Sequence, residues 1–148
     1  MSASEVVSLV IPMQGMGLLV PNAMVAEIVP FAGMEAKTKG PDWLLGEVQW
    51  RGQKLPLMSF ESANGEGMVL PRPGSRFAVL NAITGAGGRQ FYAILVHGNP
   101  TKAEFAPGSL EPVEGPDALA VKAYVRYQDA ILRIPDPDVL EPLLGALD

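Results

Sequence analysis

Two stretches, Arg76–Ala82 and Phe91–Val96, leave this chain few ways to fold. Phe77, Ala78, Val79 and Leu80 are apolar on both faces of any strand they form, and Phe91–Val96 repeats the pattern after a glycine-rich turn at Gly85–Gly88. A strand apolar on both faces must be covered on both. One side is therefore expected to face the interior of the strand's own barrel, and the other a second lobe.

The rest of the chain reads as short strands cut by turns. Val6–Ile11 and Gly17–Val20 form a hairpin across Pro12–Gly15. Asn22 is placed to cap one helical turn over Ala23–Val25, and Ala26–Phe31 is extended again. Ala32–Gly40 reads as a polar loop. Two strands follow at 46–50 and 54–60; Pro56 lacks a donor, so its strand lies at an edge or pairs on its other side. The breakers in Glu61–Ser75 mark a flexible loop and a seam between halves. Pro100–Asp117 reads as connection anchored by Phe105, Leu110 and Val113. Leu119, Val121, Ala123, Val125 and Tyr127 share one face of a half-exposed strand, opposite Lys122 and Arg126, and Ala130–Ile134 returns from it. Asp136 and Pro137 start a closing helix at about 136–147, with Val139, Leu140, Leu143, Leu144 and Leu147 on one face and, because Pro142 interrupts it, a kink or restart expected near Glu141. The class is all-β with short helices, in one domain over 1–148. Its lobes are expected at roughly 6–60 and 76–134. Strand spacing alone does not choose between barrels and a sandwich.

Composition excludes several functions. The chain has no cysteine and one histidine, so thiol catalysis, disulfides and thiolate metal sites are out of reach. Its net charge of −5 and lack of Lys/Arg clusters disfavour phosphate backbones and anionic lipid. The amino end carries no basic residue before Lys37, and Val6–Ile11 is too short to span a bilayer, so a cytoplasmic chain without membrane insertion is expected. Gly85–Gly88 lacks the Gly-Lys-Ser/Thr ending of a phosphate loop and reads as a hairpin turn. His97 has no partner histidine or cysteine to complete a metal set and reads as a loop or edge residue. No serine sits in a nucleophile elbow, and helix-start chemistry explains Asp136 and Asp138. No catalytic residue, metal or cofactor is expected.

One stretch remains, Pro41–Phe60. Gly46 is followed by Glu47-Val48-Gln49-Trp50, then Arg51-Gly52 and the apolar run from Leu55. Gly52 accepts positive φ freely, which puts Arg51 at the tip of a tight hairpin, its five donors in solvent. Read alone, Arg51 is a solvated loop charge or a recognition charge on a rigid scaffold. Glu27, a carboxylate between apolar neighbours, is likewise a solvated strand charge or part of a docking surface.

The Gly-x4-Arg-Gly spacing resembles the CheW family, adaptors of bacterial chemosensory arrays. A second stretch agrees: Leu18-Leu19-Val20-Pro21 running into Val25-Ala26-Glu27-Ile28. The Trp-Arg-Gly form and the compact length are most similar to the ChpC/PilI branch, ChpC more than PilI, a branch that serves type IV pilus systems. The resemblance implies two SH3-like five-stranded barrels packed across a hydrophobic core. It implies a non-catalytic adaptor between a methyl-accepting chemoreceptor's cytoplasmic tip and the regulatory domain of a CheA-type histidine kinase, recruited to membrane-bound receptor arrays. Carried over, Arg51, Gly52 and Gly46 match the family's Arg-Gly and preceding glycine, and Val25 and Glu27 its receptor-side strand. The second half departs from the family, with Val96-His97-Gly98-Asn99 where an apolar-Asp-x-Val run is common. The reading from another class is a small β-barrel that binds a ligand or nucleic acid.

Overall fold

The computed structural model describes residues 6–37, 39–67, 69–85, 88–106, 108–145 and 147. Among them, twelve strands form two six-stranded sheets. The first has the order β10 (Glu111–Val113), β11 (Val121–Tyr127), β12 (Ala130–Pro135), β2 (Leu18–Pro21), β1 (Val6–Ile11), β9 (Thr101–Phe105). The second has the order β3 (Val25–Pro30), β7 (Arg76–Asn81), β8 (Phe91–Val96), β6 (Gln53–Met58), β5 (Leu44–Trp50), β4 (Glu35–Ala36). All pairings are antiparallel except β12 with β2 and β6 with β8.

The doubly apolar strands are covered as their composition demands. Ala78, Leu80, Tyr92, Ile94 and Val96 enter a central cluster shared by both sheets, with Ile11, Leu18 and Val20 of the first. The alternate residues Phe77, Val79, Ala93 and Leu95 enter a second cluster inside their own sheet, with Val48, Trp50, Leu55 and Leu57. A third, smaller cluster around Leu19, Ala103, Val125 and Leu132 fills the first sheet. The period-2 alternation of a strand thus divides β7 and β8 between two cores.

Several expectations are corrected. Both sheets have six strands in open order rather than five in a closed barrel. Nor do the sheets divide the chain at 61–75. The second sheet is built from β3–β8 and lies in sequence between β2 and β9 of the first, because the strand that completes β1 comes from residues 101–105. The polar loop 32–40 holds the short strand β4, and the connection 100–117 holds β9 and β10. Their polar, Pro-punctuated residues hid them: β4 is exposed throughout, and only Ala103 is buried in β9. Asn22 caps nothing. Pro21 is the cap position of a 3-10 turn over Asn22–Met24, and no side chain bonds there. Leu119 is exposed and precedes β11, whose register slips between Val121 and Ala123. Ala86 and Gly87 of the expected glycine turn lie outside the described residues; Gly88 N–H donates to the Gly85 carbonyl at 3.1 Å.

The segment expected to be loosest opens with α1 (Phe60–Ala63). Ser59 caps it by accepting from Ser62 N–H at 3.1 Å. Phe60 is fully buried in the central cluster. The closing helix α2 (Pro137–Gly145) starts as read, with Asp136 Oδ1 accepting from Asp138 N–H at 3.0 Å. It passes through Pro142 as one helix, so there is no restart. Leu140 and Leu144 seat it on the central cluster. Glu141, also buried, accepts from Ile83 N–H at 2.9 Å, from Thr84 N–H at 2.8 Å and from the Tyr92 hydroxyl at 3.4 Å. Burial of Tyr92, then the Glu141 charge, raises the Tyr92 pKa far above the phenol range.

Candidate partner-docking site

β5 and β6 join through Arg51-Gly52, with φ of 47° and 77°. Positive φ at both central residues is what a two-residue hairpin turn needs to match strand twist. For Gly52 it is free; for an L-residue such as Arg51 it costs about 1–2 kcal/mol. Contacts offset that cost. Arg51 Nη2 lies 3.2 Å from Glu27 Oε1 on β3, and the guanidinium carbon sits 4.7 Å from the centre of the Trp50 ring. An exposed ion pair and an exposed cation–π contact contribute roughly 0.5–1 kcal/mol each. The Trp50 indole N–H donates to the same Glu27 oxygen at 2.9 Å, and the ring is buried edge-on to Phe91 at 4.9 Å. A core-anchored tryptophan thus holds both charges in place. The Arg51 side chain remains 67% exposed and that of Glu27 43%, so both charges are presented outward.

The five predicted residues do not form one patch. Glu27, Arg51 and Gly52 meet, with Trp50 as the member the sequence reading left out of the site. Its place beside Arg51 on the motif was the available signal. Val25 lies beyond a register shift in β3 and packs on the central cluster. Gly46 works at a distance from the tip: a Cβ there would stand 2.2 Å from the Glu35 carbonyl oxygen, so only glycine lets β4 pair with β5. Two open clefts, of about 680 and 510 Å³, flank β4. The first is lined by Lys37, Leu44 and Arg89 among others, the second by Val29, Met34, Val48 and Phe77.

A second set of polar residues escaped the sequence reading. Arg133 on β12 is buried; its Nη1 donates to both Glu66 oxygens at 2.9 and 2.7 Å and its Nη2 to the Met16 carbonyl at 2.7 Å. It lies 5.2 Å from the Phe60 ring centre. Asn64 Oδ1 accepts from Ala120 N–H at 2.7 Å. Glu61 is buried against Gln14 and His97. His97 follows β8 in the connection, as read, but its side chain is turned inward and only 2% exposed. The signal for Arg133 was its phase: between Leu132 and Ile134, it must point to the opposite face of β12.

Among the described residues no group of three His, Asp or Glu side chains is placed to hold a metal ion, and no helix is long and apolar enough to cross a membrane. The body is two six-stranded sheets with an exposed Arg51–Glu27 pair mounted on a buried tryptophan. Residues 8–141 match the CheW-like domain family, and the chain belongs to it. Members of that family are non-catalytic scaffolding adaptors of chemotaxis signalling, and the absence of enzymatic activity follows from that membership. Among solved structures, the fold is similar to the scaffolding protein TtCheW from Thermoanaerobacter tengcongensis, with a TM-score of 0.75 and 18% identity over 91% of this chain and 86% of that one. A comparison with curated protein sequences finds no match.

Proposed function

We propose that this chain is an adaptor that couples a chemoreceptor's cytoplasmic tip to the regulatory domain of a CheA-type histidine kinase, each sheet with its own cluster acting as one SH3-like lobe. The observation that carries it is the Glu27–Trp50–Arg51 cluster, where the family motif becomes an outward-facing charge pair on a buried anchor. Such a site suits transient signalling, in which a few well-placed residues dominate a modest interface. Arg51, Glu27 and Gly52 form the contact point. Val25 supports β3 from the core, and Gly46 keeps β4 in register beside the hairpin. The Trp-Arg-Gly form supports placement in the ChpC/PilI branch and control of type IV pilus motility, at receptor arrays.

The test is binding of the full chain to the receptor tip and to the kinase regulatory domain. Arg51→Glu is expected to weaken one of the two by about tenfold or more. The exchange Glu27→Arg with Arg51→Glu keeps an ion pair but reverses its polarity. If it restores binding, the pair serves hairpin geometry alone; if binding stays lost, the partner reads the charges. Unchanged binding of Arg51→Glu to both partners removes the tip from the interface. The nucleic-acid reading predicts a salt-dependent gel shift with single-stranded oligonucleotides, and the adaptor reading predicts none at physiological salt.

A further inference from the structure

His97, the only histidine of the chain, follows β8, and its side chain is 2% exposed. Neither ring nitrogen has a hydrogen-bond partner among the described residues. Its Nε2 stands 3.6 Å from Glu61 Oε2, too far for a hydrogen bond. That same Glu61 oxygen accepts from Gln14 N–H at 2.8 Å. Three elements therefore meet at one carboxylate: α1, the β1–β2 turn of the first sheet, and the end of β8 in the second. The backbone repeats the meeting, since His97 N–H donates to the Pro12 carbonyl at 3.0 Å. The charged groups that face the ring are Glu61 from α1 and Arg72 from the turn before β7.

We propose that His97 is a proton sensor for the junction between the two sheets: on protonation, the ring draws the Glu61 carboxylate off Gln14 and loosens the tie between α1 and the β1–β2 turn. A neutral imidazole at 3.6 Å makes no claim on Oε2. An imidazolium in the same place is a buried cation whose facing anion stands 3.6 Å away and holds the Gln14 N–H at 2.8 Å. Oε2 has lone pairs for both donors, but closing the 3.6 Å gap to bonding distance moves the carboxylate toward the ring and strains its bond to Gln14, and charge-assisted bonds are the stronger kind.

The direction with pH follows from burial. Burial is the largest influence on His97 and lowers its pKa; Glu61 pulls it back up and Arg72 lowers it again, leaving it below the ordinary value. The folded chain then binds this proton less tightly than the unfolded chain. Its contribution to stability is fully present above about pH 6.5 and is lost as pH falls below that value toward the folded pKa. The inference concerns the body of the fold and does not depend on the adaptor reading.

A single histidine makes the test direct. The ring resonances of His97 and the backbone amide of Gln14 are followed by NMR on the full chain from about pH 7.5 to about pH 5. The ring is expected to titrate below about pH 6.5, the Gln14 amide to shift with the same midpoint, and the thermal unfolding midpoint to fall over that window. Glu61→Gln, which keeps an acceptor for Gln14 but removes the charge, is expected to move the ring's midpoint further down. His97→Gln is expected to abolish the coupled movement of the Gln14 amide. A ring that titrates at its ordinary value, or a Gln14 amide indifferent to it, overturns the proposal on the wild-type chain alone.

Discussion

The molecule contains the same construction twice. At the hairpin tip, Arg51 pairs with Glu27 over the ring of Trp50; at the sheet junction, Arg133 pairs with Glu66 over the ring of Phe60. The partners differ little, and the surroundings differ completely. The Arg51 side chain is 67% exposed and the Arg133 side chain 2%. In solvent, such a pair contributes little to stability and keeps its charges available to another molecule. Away from solvent, the Arg133 cation depends on Glu66 and the Met16 carbonyl, its Nε having no hydrogen-bond partner among the described residues, and removing the anion is costly. One arrangement leaves its charges open to solvent, and the other ties β12 to the β1–β2 turn and to the segment after α1.

This contrast can be broken most forcefully at Glu66. Glu66→Ala leaves a buried guanidinium without its anion and is expected to destabilise the fold by about 3–5 kcal/mol in urea unfolding. Arg133→Met should cost less, because Glu66 is 39% exposed and can turn to water. If the two variants cost the same, Arg133 matters for its packing on Phe60 and not for its charge. A smaller loss, about 1–3 kcal/mol, is expected for Gly46→Ala, whose Cβ collides with the Glu35 carbonyl. Hydrogen exchange should show it as lost protection confined to β4 and the facing part of β5. The smallest effect belongs to Arg51→Gly. It gives up an exposed ion pair and a cation–π contact but relieves the positive φ, so stability should change by less than about 1 kcal/mol while binding to one partner weakens. A large stability loss there would make the tip a structural pair like its buried counterpart.

The two regions also differ in how they could be read from the residues alone. Arg51-Gly52 was legible because a tight turn leaves a local mark: a glycine beside a charge between apolar runs. The doubly apolar β7 and β8 were legible for the same reason, since alternation is written within one strand. The junction left no such mark. Glu66, Arg133 and Met16 lie far apart in sequence and have meaning only once β12 pairs beside β2. Glu61 and Asn64 open a breaker-rich segment and read as loop residues, although each anchors a distant element. β9 was hidden because Thr101, Lys102 and Glu104 are exposed, and its place in the sheet comes from its backbone ladder with β1.

The nesting of one sheet inside the other sets an order on the newborn chain. Residues 25–96 hold every strand of the second sheet, so that sheet can assemble as soon as β8 leaves the ribosome. The β1–β2 hairpin, made first, must wait with both flanks bare until β9 arrives for one and β12 for the other. Translation thus finishes the inner piece before the outer one. During that interval the amino-terminal hairpin is the part most exposed to mispairing and to chaperones.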